Sequence, residues 1–298
     1  MNISKTHASD IILSTAHLGG ANALSTRNGH GDIGALTEIL AAANEAGIRA
    51  LETADSHGEI GPVLADPSLK HWDVTFTLPS MENLEPDDVA AFVQETVLNA
   101  IDRLGCVRLY NVLLNDINDM FGAKEEAVEY ATFDLLVETY AGFRGVTFSS
   151  SADLGRLPKD YKRGVLRFPF NPLDQHALSH LDASRLAKRK IATQAQSLFL
   201  QGLLLMEASE RPSYFEPWSP ILDRFDARAA TLGVSRLALC LGTALAAPEI
   251  GKLVIDIESV EHLQKILDAL ETAPTDADFQ DLASNDCALT DSRVWHLQ

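Results

Sequence analysis

GIRALETADSHG, residues 47–58, begins on the glycine that closes an apolar helical run. That run, ALTEILAAANEAG, places Leu36, Ile39, Leu40 and Ala43 on one helical face and stops at Gly47. IRALETA (48–54) then reads as a short strand, with polar side chains gathered at its carboxyl end. Helix, glycine and strand in this order form one unit of an α/β protein, and the rest of the chain repeats it.

The other strand candidates are IILSTA (11–16), VTFTLP (74–79), VRLYNVLLN (107–115), FRGVTFSS (143–150), VLRFPFN (165–171), KIATQAQ (190–196) and KLVIDI (252–257). Helical patterns fall between most of them. Pro86, followed by Asp87 and Asp88, opens a long helix whose stripe runs from Val89 to Leu104 and ends at Gly105. EEAVEYATFDLLVETYAG (125–142), SRLALCLGTALA (235–246) and VEHLQKILDAL (260–270), the last with Ser259 as N-cap, complete the pattern. Eight strands alternating with helices predict a single-domain (β/α)8 TIM barrel over residues 1–298. Its core spans about 10–272, and a polar tail, 273–298, packs on the barrel. The competing doubly wound sheet lacks a G-x-G-x-x-G after the first strand.

Composition narrows the function. A net charge of −18 argues against nucleic acid and against an anionic membrane surface. No apolar run is long enough to span a bilayer. Three cysteines, Cys106, Cys240 and Cys287, stand without CxxC spacing and fit a reducing cytoplasm. Histidine and acid spacing demands no metal; His17, Glu52 and His57 are the one set whose chemistry would suit zinc. The barrel prediction puts function at the carboxyl ends of the strands. His17, Glu52, His57, Leu78, Asn115, Ser149, Ser150, Arg167, Asn171, Asp256, Glu258 and Ser259 all fall there.

Five of these segments, in order, resemble the aldo-keto reductases: GIRALETADSHG, RLGCVRLYNVLLND, FRGVTFSS, RFPFNPLDQ and SLFLQGLLLM. The last two look most like the reductases associated with bacterial surface polysaccharides. The resemblance implies carbonyl reduction by a nicotinamide. In that reaction a tyrosine protonates the alkoxide, a lysine and an aspartate tune the tyrosine, and a histidine orients the substrate. On that resemblance Glu52 holds the aspartate position, His57 the tyrosine, Leu78 the lysine and Asn115 the histidine. Arg167 replaces the glutamine beneath the nicotinamide, and Ser149-Ser150 takes the place of the serine-asparagine pair that holds its carboxamide. In the phosphate loop Asp256 takes the glycine position and Glu258 the basic one, ahead of Ser259.

These replacements set the functional expectations. Leu78 carries no charge, so Glu52 needs another partner; His57 is the obvious one and His17 the second. Arg167 either binds Glu52 or clamps a carboxylate or phosphate. Two carboxylates at the phosphate loop argue against NADP and leave NAD open. The expected protein is a barrel that has lost the reductase tetrad and binds a small molecule, sugar-related or anionic, or has become a non-redox enzyme. Two alternatives are an NAD-dependent oxidoreductase with His57 as proton donor, and an acid–base lyase, isomerase or epimerase using Glu52 and His57. The pocket residues would be His17, Ser149, Ser150, Arg167 and Asn171.

Overall fold

A computed structural model describes residues 7–15, 33–54, 60–65, 72–105, 109–122, 125–129 and 141–297. Eight strands close into one barrel: β1 Ile11–Ser14, β2 Ala50–Ala54, β3 Asp73–Thr77, β4 Leu109–Leu114, β5 Ala141–Thr147, β6 Gly164–Pro169, β7 Ile191–Gln196 and β8 Lys252–Asp256. Every neighbouring pair is parallel, and β8 returns to β1 with Asp256 opposite Ser14. The single (β/α)8 barrel expected from the alternation is the observed architecture.

The helices form for the reasons their ends display. Pro86 starts the helix Pro86–Leu104, where its missing N–H costs nothing, with Asp87 and Asp88 at the positive end of the dipole. Gly105 ends it at φ 63°, a conformation glycine adopts without a Cβ clash. Val89, Val93, Val97, Ala100 and Leu104 make its buried stripe. They join the main core between strands and helices, where Leu13, Leu51, Phe76, Val112, Val146, Leu166, Phe168 and Ile255 point outward from the barrel.

One boundary differs from the sequence expectation. The helical pattern was read through residue 142, yet β5 begins at Ala141, and the described helix here covers Glu125–Glu129. Ala141 is fully buried and lies in register with Leu109 of β4, so pairing with a neighbouring strand overrides the local helical preference. Further along β5, Gly145 lets Leu113 and Val165 close against its backbone. A Cβ there would lie 2.6 Å from the Val165 carbonyl oxygen and against the Leu113 side chain.

The carboxyl-terminal segment is packed. Phe279, Leu282 and Leu289 join Leu173, Leu203, Leu204, Phe215, Leu222 and Phe225 in a second apolar cluster. Backbone bonds stitch it down: Ser284 N–H donates to Leu173 O at 2.8 Å, and Gln175 Nε2 donates to Phe279 O at 2.7 Å. Among the described residues, no helix is long and apolar enough to cross a membrane.

Candidate functional site

Side chains alternate along a strand, so the residues that share Arg167's face look into the barrel. On the five strands nearest the site these are Glu52 on β2, Thr75 and Thr77 on β3, Asn111 and Leu113 on β4, Val165 and Arg167 on β6, and Gln194 on β7. The interior is therefore unusually polar in its upper half. Glu52, Thr77, Arg167 and Gln194 are all buried there.

Arg167 bridges this interior. Its Nη1 lies 3.0 Å from Glu52 Oε1, with side chains 3% and 7% exposed. β2 and β6 are four places apart in a ring of eight, so the ion pair crosses the barrel from wall to opposite wall. Two neighbours fix the crossing. Arg167 Nε donates to Gln194 Oε1 at 3.0 Å, and Nη1 donates to Thr77 Oγ1 at 3.4 Å. Thr77 Oγ1 in turn donates to Glu52 Oε1 at 3.4 Å. Among the described residues, the buried Arg167 Nη2 has no hydrogen-bond partner.

Electrostatics follow from this geometry. Burial pushes the Arg167 guanidinium below its ordinary range, and Glu52, then Asp256, pull it back up. A guanidinium retains its charge in proteins, so the pair is a fixed ionic crossbar rather than a proton relay. One layer down, Asn111 Nδ2 donates to Thr75 Oγ1 at 2.8 Å. Near β1, Thr15 Oγ1 donates to Thr53 Oγ1 at 3.1 Å.

The structure brings some sequence candidates together and separates others. Glu52 and Arg167 meet, which realises one of the two roles anticipated for Arg167. His17 and His57, the histidines considered as partners for Glu52, lie outside the described residues. Leu78 is 1% exposed and belongs to the apolar core outside the strands, so the β3 side chain that reaches Glu52 is Thr77. Asn115 is exposed at the end of β4. Ser149 Oγ donates to Asp116 Oδ2 at 2.8 Å. Ser150 caps the turn Ser151–Arg156 by accepting from Ala152 N at 3.3 Å. Asn171 is fully buried and holds the loop after β6: its Oδ1 accepts from Leu173 N and Asp174 N, both at 3.0 Å.

The phosphate-loop candidates sit at the start of the helix Val260–Glu271. Ser259 caps it, accepting from His262 N at 3.0 Å. Glu258 is exposed just before the cap and Glu261 just after it. This end of the helix already carries its own cap and two carboxylates, which repel a phosphate. Among the described residues no three His, Cys, Asp or Glu side chains could hold a metal ion.

Sequence reading missed two members of the crossbar, Thr77 and its role beside Glu52, and the orientation of Gln194. The available signal was strand parity: Thr75 and Thr77 share a face, and Leu78 falls on the other.

This geometry defines a barrel with the fold of the aldo-keto reductases, its polar interior crossed by the Arg167–Glu52 ion pair. The aldo-keto reductase AKR11C1 from Bacillus halodurans superposes in its holo form with a TM-score of 0.68, over 93% of each chain, at 14% identity. Its apo form gives 0.65 at 16% identity, over 86% of this chain and 89% of that one. PA4992 from Pseudomonas aeruginosa, whose own description as an aldo-keto reductase is provisional, gives 0.63 at 15% identity, over 89% and 90%. No family model matches the sequence, nor does any curated protein.

Proposed function

We propose that this barrel binds a small molecule and does not perform nicotinamide-dependent carbonyl reduction with NADPH. The observation that carries the reading is the Arg167–Glu52 crossbar. In the reductase scheme a lysine beside the aspartate lowers the pKa of a proton-donating tyrosine. Here the cation against Glu52 comes from the opposite wall, on a group that does not release protons at neutral pH. Thr77, the β3 neighbour of Glu52, is neutral. The acidic helix start at Glu258 and Glu261 supports the same conclusion for the phosphate-bearing cofactor.

The crossbar also bears on the ligand. Of the two ligand classes the sequence suggested, the anionic one is disfavoured, because Arg167 is already neutralised by Glu52 and Asp256 adds further negative charge. A neutral or basic small molecule suits the interior better.

The test is turnover. Purified protein with NADPH and a panel of aromatic and aliphatic aldehydes should consume the cofactor at no more than the buffer rate. Losing the general acid alone costs about 10²–10⁴-fold. Aldehyde-dependent NADPH oxidation at an ordinary enzymatic rate, on the order of 1–10³ per second, would overturn the reading.

A further inference from the structure

A cleft of about 80 Å³ opens at the carboxyl rim over β5, β6 and β7, with the carboxyl-terminal segment along its outer side. Its walls include Ser149, Ser151, Asp174, His176, Gln201 and Arg293. Asp174 is the unusual member. It is 6% exposed, yet only one of its oxygens is engaged: Oδ1 accepts from Ser151 Oγ at 2.7 Å and from His176 N at 3.2 Å. Among the described residues nothing donates to Oδ2. Oδ2 is open to the cleft and can accept from a bound donor.

The charges around it say which donor. Arg293, the lining guanidinium, is spent on Asp291, with contacts of 2.8 and 2.6 Å. Asp291 adds a second negative charge to the same wall. The His176 imidazole faces Asp174 from the following turn, and the exposed Cys287 thiol is the remaining titratable group of the lining. The His176 imidazole aside, Asp174, Asp291 and Arg293 leave the described lining one net negative charge, on a chain whose net charge is −18.

We propose that this cleft binds a small organic cation, a primary amine or guanidinium, whose N–H groups donate to Asp174 Oδ2 and to the rim serines. The proposal rests on reading the barrel as a ligand-binding protein. The walls are held in place for such a role. Asn171 fixes the Asp174 backbone, and Ser197, Leu200 and Gln201 hold positive φ values of 57°, 48° and 55° along the opposite wall. Backbone conformations of that kind cost about 1–3 kcal/mol each and gather at binding sites.

Burial raises the Asp174 carboxyl above its ordinary value, against the bonds from Ser151 and His176. A carboxyl raised in the folded state contributes stability only below its unfolded value, and that contribution is lost as pH rises through the folded one. Near neutral pH its charge therefore burdens the fold, and a bound cation relieves it.

Asp174→Asn tests this. The asparagine keeps an acceptor oxygen for Ser151 and His176 and removes only the charge, so the variant folds, with a melting temperature near neutral pH equal to or above that of the wild type. Calorimetric titration with agmatine and putrescine should show saturable binding to the wild type, weakened at least about tenfold in Asp174→Asn, as loss of one charge-assisted hydrogen bond requires. Glucose and gluconate, the neutral and anionic probes, should not compete with the amines for the cleft. Absence of binding by both amines, equal binding by Asp174→Asn, or tighter binding of glucose or gluconate overturns the proposal. A parallel NADPH titration separates the two claims: binding of NADPH defeats the non-reductase reading whatever the amines do.

Discussion

Arg167→Met should lower stability by about 3–5 kcal/mol, read as a shift of the denaturant midpoint at unchanged slope. Methionine matches the arginine stem in length and fills similar space, so lost packing contributes little. What it removes is the guanidinium paired with Glu52, a side chain 7% exposed inside the barrel. The carboxylate then stays in low dielectric, with Thr77 Oγ1 at 3.4 Å, without the charge that balanced it. The interaction is mutual, so Glu52→Leu should cost a similar amount by stranding the guanidinium. The double variant Glu52→Leu, Arg167→Met should recover most of the loss, because a buried pair replaced by apolar groups is often neutral. If Arg167→Met shifted stability by less than about 1 kcal/mol, the crossbar would not be the organising contact of the interior.

Phe279→Ala should cost about 3–5 kcal/mol, although it lies beyond the last barrel strand. Phe279 is 3% exposed and packs in the second cluster with Leu173, Phe215 and Phe225. Its carbonyl also accepts the Gln175 side chain at 2.7 Å, which ties the segment to the loop after β6. Leu289, fully buried in the same cluster, should cost about 2–5 kcal/mol when truncated to alanine. Chemical denaturation of both variants checks this. A loss near zero would mean that the segment is a loosely attached tail.

The barrel itself was legible because each strand is a short apolar run bounded by a helix stop or a polar cluster. β7, Ile191–Gln196, was predicted at 190–196, and Ser259 was placed correctly as the cap of the last barrel helix. The start of β5 was misplaced because Ala141 and Gly142 extend an amphipathic pattern, and only pairing with β4 reveals them as strand. At the site, the polar residues were recognisable one at a time but their partners were not. Glu52 and Arg167 are 115 positions apart, and only closure of the ring sets β2 opposite β6. Leu78 was a candidate by position along the strand end, and parity put it in the outer core. Asp174 gave no sequence signal: its burial comes from the folding of the Asn171 loop against the carboxyl-terminal segment.

The central claim is that the Arg167–Glu52 ion pair crosses the interior of a barrel that does not take NADPH. Melting of the wild-type protein across an NADPH titration tests it most directly. A ligand at 100 times its dissociation constant adds about 2.7 kcal/mol to stability, a readily measured rise. The account predicts an unchanged melting temperature up to millimolar NADPH. A saturable rise, together with aldehyde-dependent oxidation of the cofactor, would contradict it.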